Sequence, residues 1–222
     1  MATLVSVNLA RPRPNPYKEG LSTGIDKQPV TGSVEVRAPG PKGTGLGSGL
    51  VGDHIGDPRH HGGDTQAVYA VAREDLDDWE RRLGRSLPNG FFGENLTTTG
   101  LDVNGARLGE RWRVGADLVL QVTAPRIPCA TFRGWMDERR WVKTFVEAAR
   151  PGAYLRVVVP GSIRAGDPVE VISSPDHEVT VSLVFRAATR ERDLLPSLLA
   201  AEEYLEPEMA AMARKRETFV LD

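Results

Sequence analysis

The sequence contains a single cysteine, and this scarcity excludes two kinds of structural support. One thiol cannot form an internal disulfide, and an iron–sulfur cluster normally requires four thiolate ligands. A lone cysteine is typical of proteins in a reducing compartment, so the expected localisation is cytoplasmic. Any electrons that the protein uses must then come from an external donor.

The sequence also lacks an excess of charge of either sign and any long apolar run. Its 28 basic and 30 acidic residues give a net charge of −2, so no nucleic-acid polymer is expected as a partner. No apolar run approaches the roughly 18 to 20 residues needed to span a bilayer. The first residues, MATLVSVNLARPRPNP, lack the charged start and apolar core of a signal peptide, so no membrane association is expected.

Glycine and proline, in contrast, are plentiful, with 23 and 16 residues. They separate stretches of alternating or β-branched character, which predict strands within residues 3–10, 33–38, 66–72, 91–100, 107–125, 153–161 and 167–174. Helical spacing of Leu76, Trp79 and Leu83 predicts a helix that Gly84 caps, and a second helical stretch is expected near 137–149. Short strands joined by turns favour an antiparallel β-barrel over a βαβ sheet.

The last part of the sequence changes character and becomes rich in alanine, leucine and glutamate. Thr180 can act as an N-cap, and Pro196 and Pro207 stand where first helical turns are expected. We therefore predict a β-barrel domain over residues 1–175 and a small C-terminal helical unit over residues 176–222.

Cys129 lies in PRIPCATF, directly after a predicted strand. A buried structural thiol is the ordinary interpretation, because free cysteine is among the most buried residue types. However, Pro125 and Pro128 stiffen a strand exit, where side chains tend to face a cleft, and Arg126 favours the thiolate that attacks or ligates. Spacing alone leaves a cysteine–histidine pair open, although no papain-type context surrounds this cysteine.

A second cluster of polar residues lies in GDPRHHGGDTQAVYA, residues 56–70. In extended backbone His60 and His61 would point to opposite sides, which argues against a two-histidine metal grip. One of them could orient a ligand while the other packs or faces solvent, and a fully solvated pair is the alternative. Gly62 and Gly63 permit a tight turn or a close backbone approach to a bound group.

A G-x-G-x-x-G spacing at Gly47, Gly49 and Gly52 does not indicate a dinucleotide site, because neither a preceding strand nor a following helix is predicted. Basic residues occur in loops near the other motifs, and together they would suit a phosphate or another anion. The segment FGENL adds a carboxylate and an amide, for which an ordinary turn is the alternative. These candidates are Lys27, Arg59, Arg126, Glu94 and Asn95.

Five motifs in order make the pattern specific: GIDKQPV, GDHIGDPRHHGGDTQAV, FGENL, PRIPC and YLRVVVPGSIRAGDPV. This order resembles the MOSC family, which takes its name from the C-terminal domain of molybdenum cofactor sulfurases, and especially its stand-alone YiiM-type members. The resemblance extends over residues 20–190. Gly152-Ala153-Tyr154 replaces a Gly-Trp-Tyr-like turn that is common in those members, so the substrate side of the pocket is expected to differ.

The resemblance implies a mainly β, MOSC-type β-barrel with a few helices and a three-helix unit at its C-terminus. It also implies that Cys129 is the protein ligand to molybdenum in a bound molybdenum cofactor, a molybdenum–pterin. Matched positions make Lys27, Arg59, His60, Asn95 and Arg126 candidates for binding the cofactor. Cys129, His60 and Glu94 are the candidate catalytic residues, the last two as proton donors to a leaving group.

The implied activity is an oxidoreductase that reduces N-hydroxylated compounds of the hydroxylamino-purine type by oxygen-atom transfer to molybdenum. Electrons would come from a flavoprotein or a ferredoxin, and a homodimer is left open. Two alternatives remain. One is a cofactor carrier or sulfur-transfer module that uses a Cys129 persulfide without turnover, and the other is a cofactor-free barrel.

Overall fold

The computed structural model describes residues 1–219. Its largest unit is an eight-stranded sheet in the order β12-β8-β9-β10-β6-β7-β1-β4, and two small two-stranded sheets pair β11 with β5 and β2 with β3. The strands are β1 Thr3–Ala10, β2 Arg13–Pro14, β3 Ser22–Thr23, β4 Lys27–Pro29, β5 Val34–Val36, β6 Val68–Ala72, β7 Leu96–Thr99, β8 Arg111–Val114, β9 Leu118–Pro125, β10 Ala153–Val159, β11 Gly161–Ile163 and β12 Val169–Ser173. The mainly β character predicted from the sequence is confirmed.

The large sheet does not close into a barrel within residues 1–219, and the predicted closure is therefore wrong. β4 pairs with the second half of β1 on the edge opposite β7. Only the first residues of β1 are left unpaired by β4 on that edge. The chain just before β12 meets them in one isolated bridge, between Thr3 and Pro168. Leu4 N–H donates to the carbonyl oxygen of Asp167 and Val169 N–H to that of Ala2 beside this bridge, but the pairing does not continue into a regular ladder.

A parallel strand pair also departs from the antiparallel prediction. β6 and β7 are parallel neighbours, joined by a crossover that contains helix α1, Arg73–Leu83. Leu76 and Trp79 of α1 are buried, and Gly84 ends the helix with φ 64°, as the helical spacing predicts. One βαβ unit is thus inserted into a sheet whose other pairings are antiparallel.

The chain between β9 and β10 forms two helices rather than the single predicted stretch. They are α2, Ala130–Met136, and α3, Trp141–Ala148. Asp137 and Arg140 between them have positive φ values of 45° and 61°, which end one helix before the next begins.

A cluster of buried aromatic rings holds these helices against α1 and the loop before β7. Phe92 and Phe132 make an edge-to-face contact with centroids 5.3 Å apart, and Trp141 lies 5.5 Å from Phe132. All three side chains are at most 1 % exposed. Because Phe92 and Phe132 belong to different elements, their contact fixes the loop and the start of α2 relative to each other.

The C-terminal region is helical, as predicted. It contains α4, Val181–Thr189, a 3-10 stretch Arg192–Tyr204 that includes Pro196, and α5, Pro207–Lys215. Thr180 caps α4, since its Oγ1 accepts a hydrogen bond of 3.1 Å from Leu183 N–H. The boundary at residue 176 stays a prediction, and the last three residues of the predicted unit lie outside the described part of the chain. No helix among the described residues is long and apolar enough to cross a bilayer.

Candidate functional site

A pocket lies where β9 ends and α2 begins, and its space, including the part open to solvent, is about 800 Å³. The chain segments that line it are far apart in sequence. They supply Asn15, Lys18, Ser22, Thr23, Gly24, Ile25, Lys27, Ser48, His54, Ile55, Gly56, Asp57, His61, Gly62, Gln66, Tyr69, Gly93, Asn95, Arg126, Ile127, Cys129, Thr131 and Tyr154.

Cys129 is positioned by the transition from β9 to α2. It occupies the residue before the first turn of α2 in extended backbone, with φ −116° and ψ 169°. Its half-buried side chain lines the pocket, as expected for a strand exit that faces a cleft.

The surroundings of Cys129 favour the thiolate. Burial opposes ionisation, but hydrogen bonding with His61 and the positive charge of Arg126 outweigh it, and the pKa of the thiol falls to about 6. The backbone N–H of Phe132 adds to this effect from the first turn of α2. These surroundings therefore favour the thiolate of Cys129 at neutral pH.

Arg126 is a buried cation that lines the same pocket. Its side chain donates to the carbonyl oxygen of Phe92, and its guanidinium carbon lies 3.9 Å from the ring centre of Phe132 and 5.2 Å from that of Tyr69. The residue is only 7 % exposed. No carboxylate among residues 1–219 forms an ion pair with it, so its charge is available to an anion in the pocket.

Lys27 reaches the pocket but its charge is already paired. Its Nζ lies 2.5 Å from Asp53 Oδ1, and the two side chains are 5 % and 0 % exposed. Ser48 Oγ and Asn95 Nδ2 donate to the other oxygen of Asp53, at 2.7 and 2.9 Å. Burial opposes ionisation of Asp53, yet Lys27, Ser48 and the backbone N–H of Ala10 hold its pKa below the ordinary value. Lys27 and Asn95 thus line the pocket as parts of one buried network.

The side chains of the two adjacent histidines point in different directions, as expected, but the one that faces the pocket is His61. His60 has a side chain that is 68 % exposed, and its Nδ1 lies 3.0 Å from Asp57 Oδ2. The structure does not place His60 in the pocket, whereas His61 lines it and lowers the pKa of the Cys129 thiol. Arg59 is exposed and lies outside the pocket lining as well. We therefore do not propose His60 or Arg59 as ligand-binding residues.

Glu94 also lies outside the pocket lining, because its own turn encloses it. The side chain is 0 % exposed and accepts hydrogen bonds from the backbone N–H of Phe92 at 3.0 Å and from Thr97 Oγ1 at 2.9 Å. The N–H of Gly90 donates to it as well. Burial raises the pKa of Glu94. With its oxygens occupied in this way, Glu94 supports the turn, and its role as a proton donor stays a prediction.

Glycines bring backbone segments together around the pocket, as Gly62 and Gly63 suggested. A Cβ atom at Gly62 would lie 2.6 Å from the carbonyl oxygen of Gly47, and one at Gly63 would lie 2.6 Å from the backbone nitrogen of Lys42. Gly47 and its neighbours belong to an irregular loop that precedes no α-helix, so the G-x-G-x-x-G spacing does not form a dinucleotide site.

Three pocket residues were not among the candidate site residues, although Tyr154 belongs to the turn expected on the substrate side of the pocket. Tyr154 packs against Tyr69 with ring centroids 5.1 Å apart, and no hydrogen bond of its phenol occurs within the described chain. Gln66 Oε1 is buried without a hydrogen-bond partner in that same part of the chain. Asn15 reaches the pocket from the N-terminal region and donates from Nδ2 to Thr131 Oγ1 at 2.9 Å. Only the pairing of distant strands brings these residues to Cys129.

The side chains of the pocket are suited to bind a metal through one sulfur ligand and to bind an anion. Within residues 1–219 no group of three or more His, Cys, Asp or Glu side chains could hold a free metal ion. A metal here would therefore arrive with most of its ligands, and the thiolate of Cys129 would complete them.

Comparison with known proteins identifies the family. The MOSC domain model matches residues 57–170. YflK of Bacillus subtilis strain 168 is 29 % identical over 83 % of this chain and 79 % of its own length. YiiM of Escherichia coli K12 is 30 % identical over 71 % of this chain and 67 % of its own length. A protein of Gibberella moniliformis named Reductase is 30 % identical over 69 % of this chain, but the match spans only 28 % of that protein.

The fold agrees with that assignment. The crystal structure of YiiM from Geobacillus stearothermophilus superposes with a TM-score of 0.76 and 26 % identity, over 97 % of this chain and 99 % of that one. The E. coli YiiM structure, at 23 % identity and a TM-score of 0.70 over 97 % of this chain and 92 % of that one, shares the fold. The chain belongs to the MOSC domain family.

Proposed function

We propose that this protein is a molybdenum-cofactor-binding oxidoreductase that reduces N-hydroxylated compounds. The observation that carries the proposal is the pairing, in one pocket, of the Cys129 thiolate with the buried and carboxylate-free cation of Arg126. Membership of the MOSC family supports a role in binding this cofactor. The partial match to a protein named Reductase is consistent with a redox reaction.

The pocket residues fit the chemistry of a molybdenum–pterin. Such a group needs a soft protein ligand, cations for its negative charge and hydrogen-bond partners for its heterocycle. Cys129 supplies the soft ligand and Arg126 the cation. Gln66 Oε1, which is buried without a partner in the described chain, would accept a hydrogen bond from a ring N–H. Gly62 and Gly93 also line the pocket.

When bound, molybdenum would supply the acceptor for the hydroxyl oxygen of the substrate. The residues of the chain would prepare the site around it. Arg126 would bind negative charge beside Cys129, and its contact with Phe132 would hold the guanidinium in place. His61 would hold a proton next to the sulfur, the position first assigned to His60. Ile25 and Ile127 limit water at the inner wall.

The same proposal requires an external electron donor. The chain has one cysteine, too few for an iron–sulfur cluster, so we propose that the electrons come from a partner. A flavoprotein or a ferredoxin is the expected partner.

Metal content tests the proposal most directly. Wild type, Cys129→Ser and the exposed control His60→Gln would be purified from cells that make the cofactor, and molybdenum per chain would be measured. Near-stoichiometric metal in wild type and the control, with loss in Cys129→Ser, is the expected result. The absence of molybdenum from a correctly folded wild type would refute the proposal.

A cofactor carrier or sulfur-transfer module is the second candidate, favoured by the lowered pKa of Cys129, which suits a persulfide as well as a metal bond. Turnover separates the two. The loaded protein would be mixed with a chemical reductant and an N-hydroxylated base, and amine formation would be followed. Product at a rate that Cys129→Ser loses supports the reductase, whereas full metal loading without product supports the carrier.

A further inference from the structure

A small hairpin stands apart from the large sheet and spans the pocket. Its two strands pair Arg13 with Thr23 and Pro14 with Ser22, and Asn15 and Lys18 of its loop line the pocket together with Ser22. The loop of residues 54–57 lies on one side of this hairpin and α2 lies on the other. The hairpin thus forms part of the wall of the pocket that contains Cys129.

On the side of residues 54–57 the hairpin is held by backbone packing. A Cβ atom at Gly24 would lie 2.0 Å from the carbonyl oxygen of His54, and one at Gly56 would lie 2.1 Å from the carbonyl oxygen of Ser22. Ser22 Oγ and His54 Nε2 are also 2.8 Å apart. Main-chain atoms in contact leave little freedom, so this side is a fixed base.

On the α2 side the hairpin is held by side chains instead. Asn15 Nδ2 donates to Thr131 Oγ1 at 2.9 Å, and the Tyr17 hydroxyl donates to the carbonyl oxygen of Gly134 at 2.8 Å. Tyr17 is 45 % exposed, and its ring occupies the space that a side chain at residue 134 would fill, since a Cβ there would lie 2.2 Å from Tyr17 Cε1. This side can open without breaking any strand pairing.

We propose that the Arg13–Thr23 hairpin is the size-selecting wall of the pocket, and that Tyr17 seated on Gly134 is the latch that keeps it closed. Small molecules reach Cys129 with the latch shut, and bulky ones require it to open. The latch is a specificity determinant that acts through position, because Tyr17 is not part of the pocket lining.

The single cysteine allows a direct test with the full-length protein made in cells without the cofactor. Reaction rates of Cys129 would be measured with iodoacetamide and with the much larger fluorescein-5-maleimide. Both reagents attack the thiolate, so the ratio of their rates reports on access and not on the pKa. Gly134→Ala removes the seat of Tyr17 and places a better helix former in α2, and Tyr17→Ala removes the ring. Val171→Ala on β12 is the control, because Val171 is 44 % exposed and Tyr17 is 45 % exposed.

In both latch variants we expect the rate with fluorescein-5-maleimide, divided by the rate with iodoacetamide, to rise about tenfold. This is the factor expected from the loss of one hydrogen bond and its ring contact. The control is expected to leave the ratio unchanged. An unchanged ratio in both latch variants would overturn the proposal, and so would an equal acceleration with both reagents, which indicates general loosening. The readout needs no molybdenum, so it stands or falls separately from the proposed reductase activity.

Discussion

The guanidinium carbon of Arg126 lies 3.9 Å from the centre of the Phe132 ring, so a buried cation rests directly on a buried aromatic face. Stacking of this kind orients the plane of the guanidinium and leaves its edge N–H groups free to donate. One of them is used by the carbonyl oxygen of Phe92. The arrangement brings a fixed positive charge to within electrostatic reach of Cys129.

Replacement of Arg126 should therefore raise the pKa of the Cys129 thiol. In wild type the rate of iodoacetamide alkylation is expected to follow a titration centred near pH 6. Arg126→Met removes the cation and should shift this midpoint upward, which lowers the thiolate fraction at neutral pH. Arg126→Lys keeps a charge without the planar stacking and should give a smaller shift. Identical midpoints in wild type and Arg126→Met would contradict the electrostatic explanation.

The two histidines should differ in the same titration. His61→Gln removes the imidazole that hydrogen-bonds the thiol, so the pKa of Cys129 should rise. His60→Gln changes an exposed neighbour that contacts Asp57 and should leave the midpoint where it is. The alkylation profile against pH measures both variants. A shift with His60→Gln and none with His61→Gln would reverse the assignment.

Replacing one partner of the buried Lys27–Asp53 ion pair should lower the free energy of unfolding strongly. Asp53→Asn leaves a buried ammonium without its partner, and we expect a loss of about 3–5 kcal/mol in the free energy of unfolding. Lys27→Met should also destabilise, because it leaves the carboxylate unpaired. The double variant should lose less than the sum of the two, since neither charge is then left behind. Urea denaturation of all four proteins gives the comparison, and simple additivity would mean that the pair is not coupled.

Acid should weaken the protein partly through Asp57. Burial opposes its ionisation, but the side chains of Lys18 and His60 lower its pKa from 3.8 to about 2. A carboxyl whose pKa is lower in the folded state stabilises it above the unfolded value, and this stabilisation disappears as the pH falls through the folded value. Asp57→Asn should therefore lose less stability than wild type between pH 5 and about pH 2. Asp117→Asn, an exposed carboxylate, is the control that should behave like wild type in thermal unfolding over this range.

The cap of α4 should contribute measurably to stability. Thr180→Ala removes the acceptor for Leu183 N–H and should cost about 1 kcal/mol of unfolding free energy. Thr31→Ala, an exposed threonine in the turn after β4, should change it little. Chemical denaturation checks both, and equal effects would show that the cap is not stabilising.

Local patterns in the sequence were sufficient where a structure depends on near neighbours. The strand Thr3–Ala10, the helix ended by Gly84 and the cap at Thr180 all follow from alternation, helical spacing or a capping residue. The open sheet and the parallel pair of β6 and β7 could not be predicted this way. They depend on which strands, distant in sequence, share an edge of the sheet.

In the candidate site too, features that depend on near neighbours were predictable, and features that depend on the folded chain were not. Cys129 and Arg126 are three residues apart at a strand exit, so their proximity was predictable. Adjacent histidines were expected to face opposite ways, but which one turns inward depends on the loop that Gly62 and Gly63 bend, each with φ 79°. Glu94 looked like a free carboxylate because the hydrogen bonds that enclose it come from its own folded turn. Tyr154 and Asn15 enter the pocket only through tertiary pairing.

The Arg13–Thr23 hairpin and the residues around the Cys129 thiol belong to separate parts of the molecule, so they can change independently during evolution. The platform of Cys129 and Arg126 rests on β9, α2 and the buried aromatic rings, whereas the hairpin contributes no strand to the large sheet. Residues of the hairpin loop can therefore be exchanged or lengthened without disturbing the residues that ionise the thiol. One chemical platform could in this way acquire new substrates through changes confined to about ten residues, and engineering of its selectivity would begin there.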